Sequence, residues 1–387
     1  MKAERAYLDH NASAPLVPEA RAAMVAALDA GGNASSVHGA GRAARRLVEA
    51  ARRDVAALVG ADPAHVVFTS GATEAANMLL TPDWRMGRSR LRLSKLYVCA
   101  ADHPCLLAGG RFAADDVLIY GVDANGIADL AGLEAMLARH DRSSGLALVA
   151  IHAANNETGV LQPVAEMARV VKAAGGVLVV DAVQAAGRIP IDIADRWGDF
   201  IILSSHKIGG PQGAGAFVGV SDLMMPAPLV RGGGQEKGHR AGTENVAAIA
   251  GFGAAARLAR DTLADMHRVA ALRDRAETAI LEFAPGAIIY GRAAPRLANT
   301  TFFAIPGVKA ETAQIAFDLG GVALSAGSAC SSGRVGPSHV LKAMGHAGDE
   351  GALRVSIGTS TTGEEISRFR DVLAAVMARA AEADRAA

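Results

Sequence analysis

Short apolar runs alternate with amphipathic segments over most of the chain, and this alternation is its main structural signal. Helical periodicity between several of the runs predicts helices, for example at Leu130–Arg139 and Val164–Ala174. Strands that are apolar on both faces and separated by helices are typical of a mostly parallel, doubly covered sheet. The pattern therefore predicts an α/β fold with a mostly parallel seven-stranded sheet, whose strands are Val66–Thr69, Leu96–Ala100, Val117–Ile119, Leu146–His152, Val177–Asp181, Phe200–Leu203 and Ala214–Val218.

The segments on either side of this region have a different pattern. Two amphipathic helices are predicted before it, at about Val17–Ala30 and Gly41–Val59, and one long helix is predicted after it, at about Thr243–Asp274. The rest of the chain predicts a smaller α+β domain, with strands near Ala287–Tyr290, Asn299–Phe303 and Leu353–Ile357 and a last helix from Glu364.

Composition excludes several classes of protein. The 387 residues have a formal net charge of +0 and only 4% aromatic residues, which argues against a nucleic-acid partner. No apolar stretch reaches the roughly 20 residues of a membrane span, and the first residues lack the apolar core of a signal peptide. The three cysteines have neither the number of a disulfide framework nor the spacing of metal ligands. We therefore expect a cytoplasmic protein with no resident metal.

Lys207 is the first candidate for chemistry. It lies in Ser204-Ser205-His206-Lys207-Ile208-Gly209-Gly210-Pro211, just after the predicted strand Phe200–Leu203. Desolvation at the end of a buried strand lowers the pKa of an amine and makes it a nucleophile toward carbonyls. Taken alone, an ordinary loop lysine is the simpler interpretation.

Asp181 and Gln184 change the interpretation of Lys207. Asp181 closes the predicted strand Val177–Asp181, and Gln184 follows it by three residues. In parallel sheets, ligands gather at the carboxyl ends of the strands. A lysine and a carboxylate at neighbouring strand ends are what pyridoxal 5'-phosphate (PLP) requires, because the lysine forms a Schiff base and the carboxylate pairs with the pyridine nitrogen.

Three further motifs each have a functional and a structural interpretation. Thr73, in Thr69–Glu74, could help to bind an anion at a helix N-terminus or could simply cap that helix. His103 follows a strand and could stack on a pyridine ring and move protons, or it could be polar surface. Asn156, in Asn155–Gly159, could donate an amide to the phenolic oxygen of PLP, although such turns are common for conformational reasons.

Three residues in the second half of the chain are also candidates. Thr243 follows a glycine-rich stretch and could cap the next helix, contact a phosphate, or both. Cys330 is surrounded by Ser, Ala and Gly, which predicts an exposed thiol on a mobile loop, whereas Cys99 and Cys105 are better explained as packing. Arg354 lies among apolar strand residues, where it could bind a carboxylate or form a buried structural ion pair.

Together these segments resemble the NifS/IscS-like cysteine desulfurases of the class V aminotransferase group. The resemblance begins at Tyr7-Leu8-Asp9-His10-Asn11-Ala12 and continues to the Arg354 strand and the last helix. It implies the PLP-dependent fold type I and a homodimer with active sites at the subunit boundary. It also implies a large PLP-binding domain at residues 15–261, and a small domain at residues 1–14 and 262–387 with the cysteine loop at about 323–337.

The resemblance also implies roles for the candidate residues. Lys207 holds PLP covalently, Asp181 pairs with its ring nitrogen, and His103 stacks on the ring. Arg354 binds the substrate carboxylate, with Asn156 as a second substrate contact. Cys330 accepts sulfur as a persulfide and could transiently contact a nascent Fe–S cluster. The other expected cofactor contacts are Gln184 and Asn156 to the phenolic oxygen, and Ala72, Thr73, Ser204, His206 and, from the second subunit, Thr243 to the phosphate.

The implied activity is conversion of L-cysteine to L-alanine, with transfer of sulfur to an acceptor such as an Fe–S scaffold. The sequence leaves nitrogenase maturation, general Fe–S assembly and tRNA thiolation open as destinations. The alternatives are a plain class V aminotransferase, a selenocysteine lyase, or a catalytically silent scaffold. An aminotransferase does not need a thiol on a mobile loop, and a silent scaffold does not need Lys207 and Asp181.

Overall fold

The computed structural model describes residues 5–195, 197–327, 338–346 and 351–386, with side chains described up to residue 380. The helices in these ranges are α1 (Pro18–Ala30), α2 (Gly39–Leu58), α3 (Ala72–Leu79), α4 (Pro104–Leu107), α5 (Leu130–Ala138), α6 (Val164–Ala173), α7 (Val246–Asp261), α8 (Met266–Phe283), α9 (Ala310–Leu319), α10 (His339–Ala343) and α11 (Gly363–Ala386). The strands are β1 (Ala6–Tyr7), β2 (Val66–Thr69), β3 (Asp83–Met86), β4 (Ser89–Cys99), β5 (Val117–Tyr120), β6 (Leu146–His152), β7 (Val177–Asp181), β8 (Phe200–Ser204), β9 (Gly215–Gly219), β10 (Met224–Pro226), β11 (Ile288–Ile289), β12 (Thr300–Ala304), β13 (Val322–Ala323), β14 (Ser325–Ala326) and β15 (Leu353–Ser356).

The seven predicted strands form one sheet in the order β5-β4-β6-β7-β8-β9-β2. The pairs from β5 to β8 are parallel, whereas β9 runs antiparallel to both β8 and β2. Two strands that the sequence did not predict, β3 and β10, extend the sheet to nine strands. The prediction of a mostly parallel α/β sheet is confirmed. Most residues of β3 are exposed, and β10 has only three residues and ends in proline, so neither has the long apolar run of a buried strand.

The parallel strands place their carboxyl ends at one edge of the sheet. The registers align His152 of β6 with Asp181 of β7, and Asp181 with Ile202 of β8. The segments that follow β6, β7 and β8 therefore begin next to one another at this edge. Gly215 at the start of β9 contributes to this edge, because a Cβ there would lie 2.6 Å from the backbone of Gly71.

The predicted long helix over Thr243–Asp274 is wrong. The segment forms α7 and α8, with a 3-10 turn at Leu263–Asp265 between them. The first helix is capped by Asn245, whose side chain accepts the N–H of Ala248 at 3.1 Å. The two helices contribute to different apolar cores, through Phe252 in α7 and Val269 in α8, and the chain has to turn to reach both.

The carboxyl-terminal part contains a four-stranded sheet, β11-β12-β15-β14, and β1 pairs with β13 beside it. One apolar core joins the start of the chain, through Ala6 and Leu8, to residues between 269 and 376. Two other cores lie on the two faces of the large sheet. Among the residues described, no helix combines the length and the apolar character that a membrane crossing requires.

Candidate active site

A cavity of about 550 Å³ lies at the carboxyl edge of the large sheet. Nine of the twelve predicted site residues line it, and they come from segments spread over 136 positions of the chain, from residue 72 to residue 207. The full lining comprises Ala12, Ser70, Gly71, Ala72, Thr73, Glu74, His103, Cys105, His152, Ala154, Asn156, Asp181, Val183, Gln184, Ser204, His206, Lys207, Gln212, Gly213 and Ala214.

Lys207 enters the cavity from the turn Ser205–Lys207, which directly follows β8. Its ammonium group donates to the carbonyl of Asn11 at 2.6 Å and to that of Ala12 at 2.9 Å. Both acceptors belong to the amino-terminal segment. This segment passes the site although it precedes the lysine by nearly two hundred residues in sequence. The amine is therefore held by neutral carbonyl groups in these two contacts.

Asp181 lies at the end of the strand next to the one that precedes Lys207. The residue is 6% exposed, and its Oδ1 accepts the N–H of Val183 at 3.0 Å. Burial raises the pKa of Asp181 to about 6, and the negative charge of Asp102 acts in the same direction. At neutral pH the carboxylate is ionised, and it is able to pair with a protonated ring nitrogen.

Helix α3 begins at the cavity with a bare first turn. Its N-cap is Gly71, and no side chain caps that turn, while Ala72 and Thr73 line the cavity. Glu74 folds back so that its carboxylate accepts the N–H of Ser70 at 2.8 Å, and it also pairs with Arg240 at 2.9 Å. Thr73, which the sequence offered as a possible cap, does not cap the helix, and Glu74 bonds the backbone ahead of it. The backbone N–H groups of a first turn suit an anion.

Two histidines in the cavity have depressed pKa values. Burial lowers the pKa of His103 to about 4, with a further contribution from the positive charge of Lys207, and the same two causes lower that of His206 to about 4. Both rings are therefore neutral near pH 7. The Nδ1 of His103 accepts the N–H of Cys105 at 3.2 Å, and Nδ1 of His206 lies 3.2 Å from the Ser13 hydroxyl.

The two predicted amide ligands are held in different ways, Gln184 through its side-chain amide and Asn156 through its backbone carbonyl. Gln184 donates to the carbonyl of Asn11 at 3.0 Å, and its side-chain oxygen accepts from Arg188. The carbonyl of Asn156 accepts from Arg354 at 3.0 Å and from the side chain of Asn11 at 3.2 Å. These bonds fix the position of both residues at the cavity wall.

Arg354 is not among the cavity-lining residues. Its side chain is completely buried, where it pairs with Asp9 at 2.8 Å and bonds the hydroxyl of Ser325 at 3.1 Å. This is the structural ion pair that the sequence left open. The Nε atom is nevertheless buried and has no hydrogen-bond partner in the described part of the chain, so one donor of the guanidinium is unused.

Two further predicted residues lie outside the cavity or outside the described ranges. Thr243 is exposed and lines a neighbouring cavity of about 220 Å³, which shares Ser70, Gly213 and Ala214 with the first. Cys330 lies outside the described residues, as does most of the predicted cysteine loop. Cys99 and Cys105 are buried, as expected for packing residues.

The sequence analysis missed several residues at the site. Asn11 holds both Lys207 and Gln184 through its carbonyl, and Arg188 bonds Gln184 from behind. His152 lines the cavity and ends β6 at the position where Asp181 ends β7. A polar residue that closes an apolar run was the signal for His152, whereas the contacts of Asn11 have no sequence signal.

The residues present fit PLP. The cofactor needs an amine for its aldehyde, a carboxylate for its ring nitrogen and donors for its phosphate. Lys207, the buried Asp181 and the uncapped start of α3 provide these three features around one cavity. The neutral ring of His103 lies in the same wall.

Comparison with known proteins shows which family the chain belongs to. A sequence model of the family "Aminotransferase class-V" matches residues 6–369. Cysteine desulfurases of Frankia sp. (strain EuIK1) and Cereibacter sphaeroides are each 39% identical to the chain, covering 96% of it and 91% and 95% of their own lengths, respectively. The X-ray structure of a NifS-like protein from Rickettsia africae ESF-5 matches with a TM-score of 0.86 and 32% identity, over 96% of this chain and 99% of the other. The chain therefore belongs to the NifS/IscS-like cysteine desulfurases of the PLP-dependent aminotransferase class-V family.

Proposed function

We propose that this enzyme converts L-cysteine to L-alanine and passes the sulfur, through a persulfide on Cys330, to an acceptor protein. The observation that carries the proposal is the single cavity that joins Lys207, Asp181 and the start of α3. The reaction balances as L-cysteine plus the Cys330 thiol giving L-alanine plus the Cys330 persulfide. The carbon–sulfur bond of the substrate breaks, a sulfur–sulfur bond forms, and the substrate Cβ gains a proton.

The predicted site residues that line the cavity have defined tasks in this proposal. PLP, when bound, supplies an electron sink for the substrate carbon. Lys207 holds the cofactor and, once released, takes the proton from the substrate Cα. Asp181 keeps the ring nitrogen protonated, and Gln184 and Asn156 orient the phenolic oxygen.

The remaining tasks are orientation and proton transfer. The start of α3, with Ala72 and Thr73, binds the phosphate together with Ser204 and His206. His103 stacks on the ring and can accept a proton from the attacking thiol at Nδ1, once this atom releases its hydrogen bond from the Cys105 N–H. Attack on sulfur requires a thiolate, so this proton must leave before the sulfur–sulfur bond forms.

The activity is tested by incubating the purified protein with L-cysteine and a thiol reductant. We expect alanine and sulfide in equal amounts. A plain aminotransferase would instead need a keto acid and would release no sulfide. A selenocysteine lyase would turn over L-selenocysteine but not L-cysteine.

We further propose a division into a large domain at residues 15–261 and a small domain at residues 1–14 and 262–387. The apolar core that joins Ala6 and Leu8 to residues beyond 269 supports it. Because the transfer requires a reduced Cys330 thiol, we place the enzyme in the cytoplasm, with an Fe–S scaffold or another sulfur acceptor as partner.

We propose that the enzyme is a homodimer in which Thr243 completes the phosphate site of the partner subunit. Thr243 is exposed, and it lies beside the cavity of its own chain without lining it. The preceding segment exposes Leu223, Leu229 and Val230, which a subunit contact would cover.

Mixing Lys207→Ala subunits with Thr243→Ala subunits tests this sharing. Random exchange makes half of the dimers mixed, and each mixed dimer then has one intact site, so about a quarter of the wild-type sites should return. A mixture of Lys207→Ala with Asp181→Asn is the matched control and should recover none, because both lesions fall in the same half of a site. Equal recovery in both mixtures, or a monomer at micromolar concentration, would contradict the proposal.

The role of Arg354 is tested by Arg354→Lys. If the guanidinium binds the substrate carboxylate, kcat/KM for L-cysteine should fall by roughly 30- to 1,000-fold while the PLP content is retained. The Asp9→Asn variant removes the ion-pair partner and serves as the comparison, because it perturbs the same buried group without removing the guanidinium. Unchanged kcat/KM in Arg354→Lys, together with a lowered melting temperature in both variants, would assign Arg354 to the structural ion pair alone.

A further inference from the structure

A second buried carboxylate lies behind the cavity, in a cluster that the proposed mechanism does not use. Asp102 is completely buried, and one of its oxygens, Oδ1, lies 2.6 Å from Nδ1 of His152. The same oxygen accepts the backbone N–H of His152 at 2.9 Å, and Oδ2 accepts that of Cys99 at 2.8 Å. The carboxylate thus joins the ends of β4 and β6, directly before His103.

Gln162 determines the protonation of His152. Its side-chain oxygen accepts the N–H of Ala128 at 2.9 Å, which identifies the other terminal atom as the amide nitrogen. That nitrogen donates to the carbonyl of Gly126 at 2.8 Å and lies 3.0 Å from Nε2 of His152. Because an amide nitrogen only donates, Nε2 must accept, and the ring is neutral with its proton on Nδ1.

The charge of the cluster follows from these bonds. Asp102 accepts the three hydrogen bonds from His152 and Cys99, which is the pattern of an ionised carboxylate, and a neutral His152 leaves that charge uncancelled. Cys99, Asp102 and His152 also place their ligand-type atoms within 4.8 Å of one another. Here, however, the proton on Nδ1 occupies the position that a metal would need.

The charge of Asp102 acts on the functional cavity. His152 is the register partner of Asp181, so the cluster lies one strand away from that carboxylate. Besides its own burial, Asp181 experiences the negative charge of Asp102 and the positive charge of Lys207. The other titratable groups around the cluster are His339, whose Nε2 lies 2.8 Å from the Asp102 carbonyl, Cys99, His103 and the buried Tyr120.

We propose that Asp102 is a positioning residue that acts electrostatically, as a permanent buried negative charge that raises the proton affinity of the groups around bound PLP. Gln162 serves this role by keeping His152 neutral, so that the negative charge persists. The inference rests on the proposed function, because it needs PLP on Lys207. The proposed electrostatic role explains why a hydrogen-bonded polar network lies behind the cavity, at a position where apolar side chains could fill the same space.

The test uses the visible absorption of PLP bound to Lys207, which changes when the linkage gains or loses its proton. Removing a negative charge lowers the pKa of nearby groups, so Asp102→Asn should lower the midpoint pH of this transition by about one unit. Asp102→Ser removes the same charge with a smaller side chain and should give the same direction. Asp102→Ser takes the place of Asp102→Asn in the test if the asparagine amide, which would face the N–H of Cys99, prevents folding.

The matched control is His152→Asn, which keeps the Asp102 charge and places an amide donor where Nδ1 stands, so that it can still donate a hydrogen bond to the carboxylate. Its midpoint should stay within about 0.3 unit of the wild type, because a neutral group replaces a neutral group. A shift in His152→Asn as large as that in Asp102→Asn would show that packing is responsible. Unchanged midpoints in both Asp102 variants would also overturn the proposal. Failure of the wild-type protein to bind PLP would contradict the proposed function itself.

Discussion

Replacing Lys207 by alanine is expected to abolish covalent attachment of PLP and to lower alanine production by roughly 10³- to 10⁴-fold or more. Lys207 is the lysine that lines the cavity beside Asp181, and its amine is held by the carbonyls of Asn11 and Ala12. Loss of the side chain removes both the attachment point and the base that takes the Cα proton. The fold should survive, since truncation of a cavity-lining side chain leaves the cores intact.

Borohydride reduction followed by peptide mapping measures the attachment directly. In the wild type we expect the reduced adduct on Lys207, and in Lys207→Ala we expect no adduct. Lys172→Ala is the matched control, because this lysine is exposed near the end of α6 and does not line the cavity. An adduct on Lys172 or Lys237, or full turnover by Lys207→Ala, would end the assignment.

Replacing Cys330 by serine is expected to leave PLP binding intact and to lower alanine formation from L-cysteine by roughly 10²-fold or more. A hydroxyl is a far weaker nucleophile toward sulfur than a thiolate, so the substrate carbon–sulfur bond should persist. The visible spectrum should still change when L-cysteine is added, because the residues that bind PLP are unaltered. The measurement is alanine by amino-acid analysis and sulfide by colorimetry.

Cys99→Ala is the control for Cys330→Ser, because it removes a thiol that is not expected to react. Cys99 is fully buried in β4, and burial raises the pKa of its thiol well above the usual value, so it is not a nucleophile. We expect this variant to keep its turnover with a modest loss of stability. Substantial alanine and sulfide production by Cys330→Ser would mean that sulfur leaves by another route.

Much of the fold and of the candidate site follows from local sequence patterns. The seven strands were predicted because buried strands are continuous apolar runs, and α1, α2, α5 and α6 because their apolar faces repeat with helical period. Lys207 and Asp181 were found because each directly follows such a run. β3 was missed because most of its residues are exposed, and the edge strand β10 was missed because it has only three residues and ends in proline.

Other features depend on contacts that sequence patterns do not encode. The break between α7 and α8 arises because the two helices serve different cores, which an unbroken helical period does not show. The burial of Arg354 against Asp9 joins residues 345 positions apart. The sequence left the two roles of Arg354 equally open, and the fold decided only that the ion pair exists.

The sequence by itself determined which chemical groups end the strands, because strand ends are local and the carboxyl edge of a parallel sheet collects them. Only the tertiary structure decided which hydrogen bonds hold these groups and how burial and neighbouring charges set their charge state. The order of β4, β6 and β7 in the sheet brings Asp102 and His152 beside Asp181, and the amino-terminal segment brings Asn11 onto Lys207. Contacts between residues far apart in sequence are made by the folded chain and leave no periodic pattern in the sequence. Their hydrogen bonding and burial therefore cannot be predicted from local patterns.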